Sequence, residues 1–322
     1  MAQSDPAAFD RQAIPAGAEE RFWLAADGWP IRVIDWPAPA IQPARGAILF
    51  LPGRGDCYEK YLETLEHWRC QGWQVSAADW RGQAGSGRLG ADAVAGHIGD
   101  FAQWVQDLGA LWANWSQGRS GPLVLAGHSM GGHLVLRAVA DGALNPAPAG
   151  LVLSTPMLGV FPQWLPLRLQ LLLASAMAML GDARRPAWKW SEKPGQLPKG
   201  RVNLLTHDPD RYADEQFWRD MRPELVMGPG SWGWVAAAAK SMRHLARPDV
   251  LARVRLPVFL LSASGDKLVS PRASRRAAAH LPQVDFLEME PEARHEILRE
   301  ADAWRNPALA AIDAFLDRLD PA

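Results

Sequence analysis

Short apolar runs alternate with amphipathic segments through the first half of the chain and again near its end. Residues 21–36 alternate apolar and polar positions around Asp27-Gly28, which predicts a β-hairpin. Short continuous apolar runs predict buried strands, at 46–53, 73–80, 123–126, 150–156, 256–266 and 284–290. Apolar residues at helical spacing predict helices, at 59–71, 100–115, from 134 onward, 271–281 and 306–319. Asn306 is the expected N-cap of the last helix, with Pro307 in its first position.

Strands that alternate with helices predict an α/β fold, in which helices cover both faces of a mostly parallel sheet. Between 157 and 250 this pattern stops, and the chain becomes rich in Trp, Leu, Met and Pro without a convincing strand. The simplest architecture is therefore one α/β core formed by 1–156 and 251–322, with 157–250 inserted as a helical cap. Ligands of such sheets bind at the carboxyl ends of the strands, and the cap leaves from that edge.

One serine lies between glycines where a predicted strand gives way to a predicted helix. The stretch AGHSMGG holds Ser129 two positions from both Gly127 and Gly131. A chain of this length contains G-x-S-x-G by accident roughly one time in ten, so the flanking strand and helix carry the argument. A strand that turns at once into a helix crowds the backbone, and the glycines relieve this. Ser129 is therefore the candidate nucleophile.

A nucleophilic serine needs a base and an acid from elsewhere in the chain. His295 follows the last predicted strand, at the same edge of the sheet as Ser129, and is the candidate base; His97, His207 and His244 stay open. Asp266 closes the strand before it and is the candidate acid. Asp79 also ends a strand, but it precedes the serine, and we expect it to pair with Arg81. The resulting order of Ser, Asp and His is the one expected for this fold.

An oxyanion hole requires two backbone N–H groups that point at the developing negative charge. Met130, directly after the serine, is the first candidate donor. The second is expected in the turn after the strand 46–51, where Pro52 has no N–H, so that Arg54 is the better candidate. An ordinary tight turn is the alternative interpretation of this PGRGD segment.

Together these segments resemble the α/β-hydrolase family, and within it the monoglyceride lipase and bacterial lysophospholipase branch. The resemblance extends over most of the chain, through LPGRGDCYEKY, DWRGQAGSGR, AGHSMGG, LTHDPDRY, GPGSWGWV and RHEILRE. It implies Ser129, Asp266 and His295 as a catalytic triad, with Arg54 and Met130 as oxyanion donors. Pro52 and Ala84 depart from the family pattern, at positions where His and Gly are commoner.

The resemblance implies hydrolysis of a carboxylic ester in a lipid with one acyl chain, most simply a lysophospholipid, through an acyl-enzyme. A monoacylglycerol lipase, another carboxylesterase, a lactonase or a peptidase on the same fold, and a non-catalytic binding protein are the alternatives. No metal or organic cofactor is required. We expect some tryptophans of the cap to line the acyl pocket, the candidates being Trp164, Trp218, Trp232 and Trp234.

Composition and charge indicate which partners and which cellular compartment to expect. The net charge of −1 gives no indication of a nucleic-acid partner, and the N-terminal residues lack the pattern of a secretory signal. The predicted helix between Cys57 and Cys70 separates their α-carbons by roughly 20 Å, too far for a disulfide, which suits the cytoplasm. Residues 183–201 interleave Arg and Lys with Trp188 and Trp190, so peripheral contact with an anionic membrane surface at the inner face of the cell membrane is a further expectation.

Overall fold

The computed structural model describes residues 9–40, 44–160, 166–188 and 200–319. In this part of the chain eight strands form one sheet, and their bounds follow the predicted apolar runs. They are β1 (Glu19–Leu24), β2 (Pro30–Trp36), β3 (Gly46–Leu51), β4 (Trp73–Ala78), β5 (Leu123–His128), β6 (Gly150–Ser154), β7 (Val258–Ala263) and β8 (Val284–Met289). Their order across the sheet is β1-β2-β4-β3-β5-β6-β7-β8.

Most of this sheet is parallel, as predicted. The pairs β1–β2 and β2–β4 are antiparallel, and the pairs from β4–β3 through to β7–β8 are parallel. The predicted hairpin joins β1 to β2 at Gly28, whose φ of +80° is a conformation that glycine adopts without steric cost. The α/β class expected from the sequence is confirmed.

Helices cover both faces of the sheet. Over the described residues they are α1 (Leu62–Cys70), α2 (Phe101–Trp115), α3 (Met130–Ala140), α4 (Leu167–Met179), α5 (Val202–Leu205), α6 (Pro209–Met221), α7 (Trp232–Leu245), α8 (Pro248–Leu251), α9 (Pro271–Ala278) and α10 (Asp302–Leu319). Alternate residues of β3 enter different cores: Leu49 packs with α2 and α3, whereas Phe50 packs with α1 and α10. This division of the strand side chains buries both faces of the sheet.

The last helix begins earlier than the sequence predicts. α10 starts at Asp302, so Asn306 is not its N-cap and Pro307 lies inside it. The start is set by tertiary contacts that local sequence does not reveal: Arg211 on α6 donates from Nη2 to Asp302 Oδ1 at 2.8 Å. The backbone N–H groups of Trp304 and Arg305 bond to the carbonyl of Ala301 and close the first turn.

The carboxyl ends of β5, β6 and β7 lie side by side, with His128 opposite Ser154 and Ser154 opposite Leu261. The chain between β6 and β7, where the sequence predicts the cap, contributes α4 to α8 and, in its described part, none of the eight strands. Trp164 and Trp190 lie outside the described residues, as do 189–199 as a whole. Among the residues described, no helix combines the length and the apolar character needed to cross a membrane.

Candidate active site

Ser129 occupies a strained turn between β5 and α3. Its φ of 52° and ψ of −116° lie in a region that costs a residue with a side chain about 1–3 kcal/mol. A Cβ on Gly131 would lie 2.2 Å from the carbonyl oxygen of Leu51, so only glycine fits there. Hydrogen bonds hold the turn: Ser129 donates its N–H to Ser154 at 2.9 Å and accepts at its carbonyl from Met157 at 2.9 Å. This is the elbow predicted from the glycine spacing.

His295 and Asp266 form a buried pair. The Nδ1 of His295 lies 2.6 Å from Asp266 Oδ2, and both residues are 4% exposed. Asp266 Oδ1 accepts the backbone N–H groups of Leu268 and Val269 at 2.7 and 3.0 Å, which fixes the carboxylate. With Nδ1–H engaged by Asp266, the neutral imidazole keeps Nε2 as its proton acceptor.

The charges of this pair support each other. Burial disfavours a charged His295, but Asp266 outweighs that cost and raises the pKa of the imidazole above its ordinary value. Burial would raise the pKa of Asp266, yet the charge of His295 and the hydrogen bonds lower it. At neutral pH Asp266 is therefore ionised and able to stabilise an imidazolium.

The pair lies close to the serine turn. The ring of His128, which directly precedes Ser129, has its centroid 4.8 Å from that of His295. Thr155, directly after β6, donates its hydroxyl to the carbonyl of His295 at 2.9 Å. The structure thus brings the histidine loop against the ends of β5 and β6, where the sequence predicts it.

Six other histidines have side-chain partners of their own among the described residues. Their side-chain partners within 3.2 Å are Asp313 for His67, Ser231 for His97, Thr155 for His128, Ser241 for His133, Glu300 for His207 and Asp141 for His244. Burial lowers the pKa of His133 to about 3, so this residue stays neutral between α3 and α7. Asp79 pairs with Arg32 at 2.7 Å, and the expected pairing with Arg81 is wrong. Arg81 instead reaches Asp27 and Asp107.

The two candidate oxyanion donors flank the serine. Met130 is the first residue of α3, where backbone N–H groups have no partner within the helix. On the other side, the position of a Cβ on Gly53 lies 3.2 Å from the Cβ of Ser129, so the turn that carries Arg54 contacts the serine.

Gln83 braces both sides of this candidate hole, a role that sequence reasoning missed. It is 1% exposed, accepts the backbone N–H of Gly55 at 2.8 Å, and approaches Met130 Sδ with its amide nitrogen at 3.8 Å. The only hint of this role in the sequence is that Gln83 lies in the glycine-rich RGQAGSG loop. A loop sequence does not reveal which distant backbone group such a side chain will contact.

The Arg54 side chain reaches the segment between β6 and β7. Its Nη2 donates to the carbonyl of Gly228 at 2.5 Å, and its guanidinium carbon lies 5.2 Å from the ring centroids of both Trp188 and Trp234. Two tryptophans of the segment after β6 thus lie against a cation from the turn after β3, and connect that segment to the candidate oxyanion hole.

The tryptophans proposed to line the acyl pocket differ in their surroundings. Trp234 is buried against Phe101 and lies at Arg54, and Trp232 is half-buried at the start of α7. Trp218 packs in the core on the α1 and α10 face of the sheet and donates its indole N–H to the carbonyl of Arg11. Its contacts are those of a packing residue, so it is left out of the proposed pocket.

Curated proteins similar to this chain include lysophospholipase L2 of Escherichia coli (strain K12), which is 30% identical over 320 residues. The aligned residues cover 93% of this chain and 88% of that protein. A probable lysophospholipase L2 of Haemophilus influenzae is 26% identical over 289 residues, which cover 86% of each chain.

Solved structures give the same fold. A soluble variant of monoglyceride lipase from Saccharomyces cerevisiae has a TM-score of 0.77 at 18% identity and covers 99% of this chain and 100% of its own. A carboxyl esterase from Bacillus coagulans has a TM-score of 0.73 at 17% identity, with coverage of 95% and 100%. These likenesses, with the sheet described above, confirm the α/β-hydrolase fold. Residues 42–302 match the family model described as serine aminopeptidase, S33, and the chain belongs to that family.

Proposed function

We propose that this protein is a serine hydrolase that cleaves the carboxylic ester of a lysophospholipid. The observation that carries the proposal is the buried His295–Asp266 pair at 2.6 Å, held against the strained turn of Ser129. The curated relatives named as lysophospholipases support the substrate class. The likeness to a monoglyceride lipase makes monoacylglycerol hydrolysis the second candidate.

In the proposed reaction Ser129 Oγ attacks the acyl carbonyl while His295 Nε2 accepts its proton. The backbone N–H groups of Arg54 and Met130 stabilise the oxyanion, and loss of one such donor costs about 3 kcal/mol. The imidazolium, stabilised by Asp266, protonates the leaving alcohol and leaves an acyl-serine. His295 then removes a proton from water, which attacks the acyl-serine, and returns a proton to Ser129 Oγ as the bond to the acyl carbon breaks and the fatty acid is released.

Release of fatty acid from lysophosphatidylethanolamine, compared with release from monoolein, tests the substrate class. We expect faster turnover of the lysophospholipid and no turnover of either by Ser129→Ala. Faster turnover of monoolein would replace the lysophospholipase proposal by the monoacylglycerol lipase. Turnover of short p-nitrophenyl esters or aminoacyl amides alone would indicate an esterase or a peptidase.

We propose that the segment 157–250 is a cap, and that its outer surface contacts anionic membranes. On α4, Leu172 is 64% and Met179 85% exposed, and the exposed Arg184 and Trp188 follow within nine residues of the end of this helix. Apolar side chains beside cations and an indole match the depth profile of a lipid headgroup region. Since 189–199 lie outside the described residues, the proposal depends on α4 and 181–188.

Vesicle flotation tests the membrane contact with a matched pair of variants. Leu172→Ser is expected to reduce binding to vesicles that contain phosphatidylglycerol several-fold, because it removes an apolar side chain from the proposed contact. Leu24→Ser changes an equally exposed leucine (62%) on the edge strand β1 and is expected to leave binding unchanged. Equal losses in both variants, or no binding by the unaltered protein, would contradict the contact.

A further inference from the structure

A buried ammonium joins three separate parts of the chain beside the candidate active site. Lys60 Nζ lies 2.8 Å from Asp56 Oδ1, 3.1 Å from Glu215 Oε2 and 2.8 Å from Glu296 Oε1. Arg299 pairs with Glu296. All five side chains are buried, and we refer to them as the Lys60 cluster.

Each carboxylate of the Lys60 cluster comes from a segment with its own part in the site. Asp56 lies in the turn that carries Arg54, and its second oxygen accepts the hydroxyl of Tyr61 at 2.6 Å. Glu296 directly follows His295. Glu215 lies on α6, within the proposed cap. One cation therefore connects the candidate oxyanion turn, the histidine loop and the cap.

The cap also bonds to the histidine loop through the backbone. The N–H of Glu296 donates to the carbonyl of Leu205 at 2.9 Å, and that of His295 to the carbonyl of Leu204 at 3.3 Å. Both carbonyls belong to α5, which lies only a few residues before α6. Movement of α5 and α6 would therefore pull on the backbone of His295 itself.

Cations of the cluster and its neighbours pair with both carboxylate oxygens of Glu215. Glu215 accepts from Lys60 on one oxygen and from Arg201 and Arg219 on the other, each arginine at 2.6 Å. Although burial disfavours a charged Glu215, these cations lower the pKa of its carboxyl well below the ordinary value. Ion pairs this deeply buried contribute little net stability compared with apolar packing. What such buried ion pairs can do is fix the relative positions of the segments that they join.

We propose that Lys60 and Glu215 are positioning residues, which hold His295 and the Arg54 turn in register when the cap is seated. This inference rests on the proposed function, because it assigns a role toward the same serine chemistry. The cap then does more than cover the substrate: it sets the reactivity of Ser129 even toward a small reagent that needs no acyl pocket.

The neighbouring residues Glu215 and Asp214 provide a matched test. Both are carboxylates on α6 whose side chains are 3% exposed, but Asp214 pairs with Arg11 at 2.7 Å instead of joining the cluster. Glu215→Gln leaves one acceptor oxygen where cations approach both carboxylate oxygens. Asp214→Asn makes the same chemical change without touching the histidine loop.

The readout is the second-order rate constant for phosphorylation of Ser129 by diethyl p-nitrophenyl phosphate. We expect Glu215→Gln to lower it roughly tenfold, as small displacements of catalytic groups do, and to lower kcat for p-nitrophenyl acetate with little change in KM. Asp214→Asn is expected to stay within about twofold of the unaltered protein, since the cluster remains intact.

The outcomes separate the two proposals. If the unaltered protein does not react with the phosphate ester, the proposed function fails. If it reacts, and Glu215→Gln reacts at the same rate or Asp214→Asn loses as much, the positioning role fails. Should Glu215→Gln lack a cooperative unfolding transition, Glu296→Gln replaces it, with a similar expected loss, because it weakens the contact through which Lys60 holds the histidine loop.

Discussion

At the scale of single residues, the site depends on a backbone conformation that serine does not favour. Ser129 keeps its positive φ because hydrogen bonds hold its backbone on both sides of the turn. Gly127 and Gly131 carry no side chains, so the backbone can pack this closely around it. Strain of this kind persists only where the surrounding structure imposes it. The stability of the protein is therefore expected to improve when the strain is relieved.

A comparison of Ser129→Gly with Ser129→Ala measures that strain. Both variants are expected to lack activity, but glycine adopts this φ freely and alanine does not. Relief of about 1–3 kcal/mol of strain exceeds the roughly 0.5–1 kcal/mol that glycine loses in chain entropy. The glycine variant should therefore unfold in urea with a free energy about 1 kcal/mol higher; a glycine variant less stable than the alanine variant by about 0.5–1 kcal/mol, the entropy cost alone, would mean that the turn is unstrained.

The pH dependence of activity follows from the raised pKa of His295. Burial opposes its charge, but Asp266, Glu296 and Asp56 all raise the pKa, and the neutral ring of His128 lies beside it. Catalysis needs the neutral imidazole, so kcat/KM should fall as the pH drops through this raised pKa. Asp266→Asn is expected to move this acid limb to lower pH and to reduce the plateau by roughly 10⁴-fold.

Asp313→Asn is the control for that measurement, because it removes the carboxylate partner of His67 on α1 instead. The acid limb of kcat/KM for a p-nitrophenyl ester should stay in place in this variant. An acid limb that does not move in Asp266→Asn would show that another group governs the titration.

Which single residues the sequence reveals depends on whether their role is local. The candidates Ser129, Asp266 and His295 are predicted from strand ends and chain order, and the structure brings their segments together. The partner of Asp79 and the packing of Trp218 are mispredicted, because both depend on residues far away in the chain, Arg32 and Arg11.

At the scale of elements, hydrophobic periodicity predicts nearly all of the core. The strands and the helices α1, α2 and α9 begin and end within a few residues of their predicted bounds. α10 is the exception, since its first turn is held by Arg211 from another helix. The helices of the segment 157–250 are predicted only as a class, because helical periodicity shows only in places there and does not mark where each helix begins and ends.

The glycine-rich loop after β4 yields a prediction at this scale. Gln83→Leu removes the acceptor for the Gly55 N–H and the contact with Met130, which leaves the turn carrying Arg54 free to shift. We expect kcat for a p-nitrophenyl ester to fall about tenfold, with KM nearly unchanged, because oxyanion stabilisation acts on the transition state. Gln83→Glu keeps the acceptor oxygen and should retain more activity; a rise in KM alone would contradict the role.

At the scale of the whole molecule, the arrangement depends on contacts between segments that are distant in the chain. Lys60 pairs with Glu215, which lies 155 positions later on α6. It also pairs with Glu296, which lies 236 positions later beside His295. No local sequence pattern predicts these ion pairs, because each charged residue taken alone looks like an ordinary surface side chain. If the proposed cap and site are right, these contacts make the segment 157–250 and the core one functional unit around Ser129.

The most direct measurement of that convergence is the site of covalent modification by a fluorophosphonate. We expect the intact mass of the protein to increase by one phosphonyl group, peptide mapping to locate that group on Ser129, and Ser129→Ala, His295→Ala and Asp266→Asn to lose or strongly slow the reaction. An unmodified protein, or a label on another residue that persists in Ser129→Ala, would contradict the account.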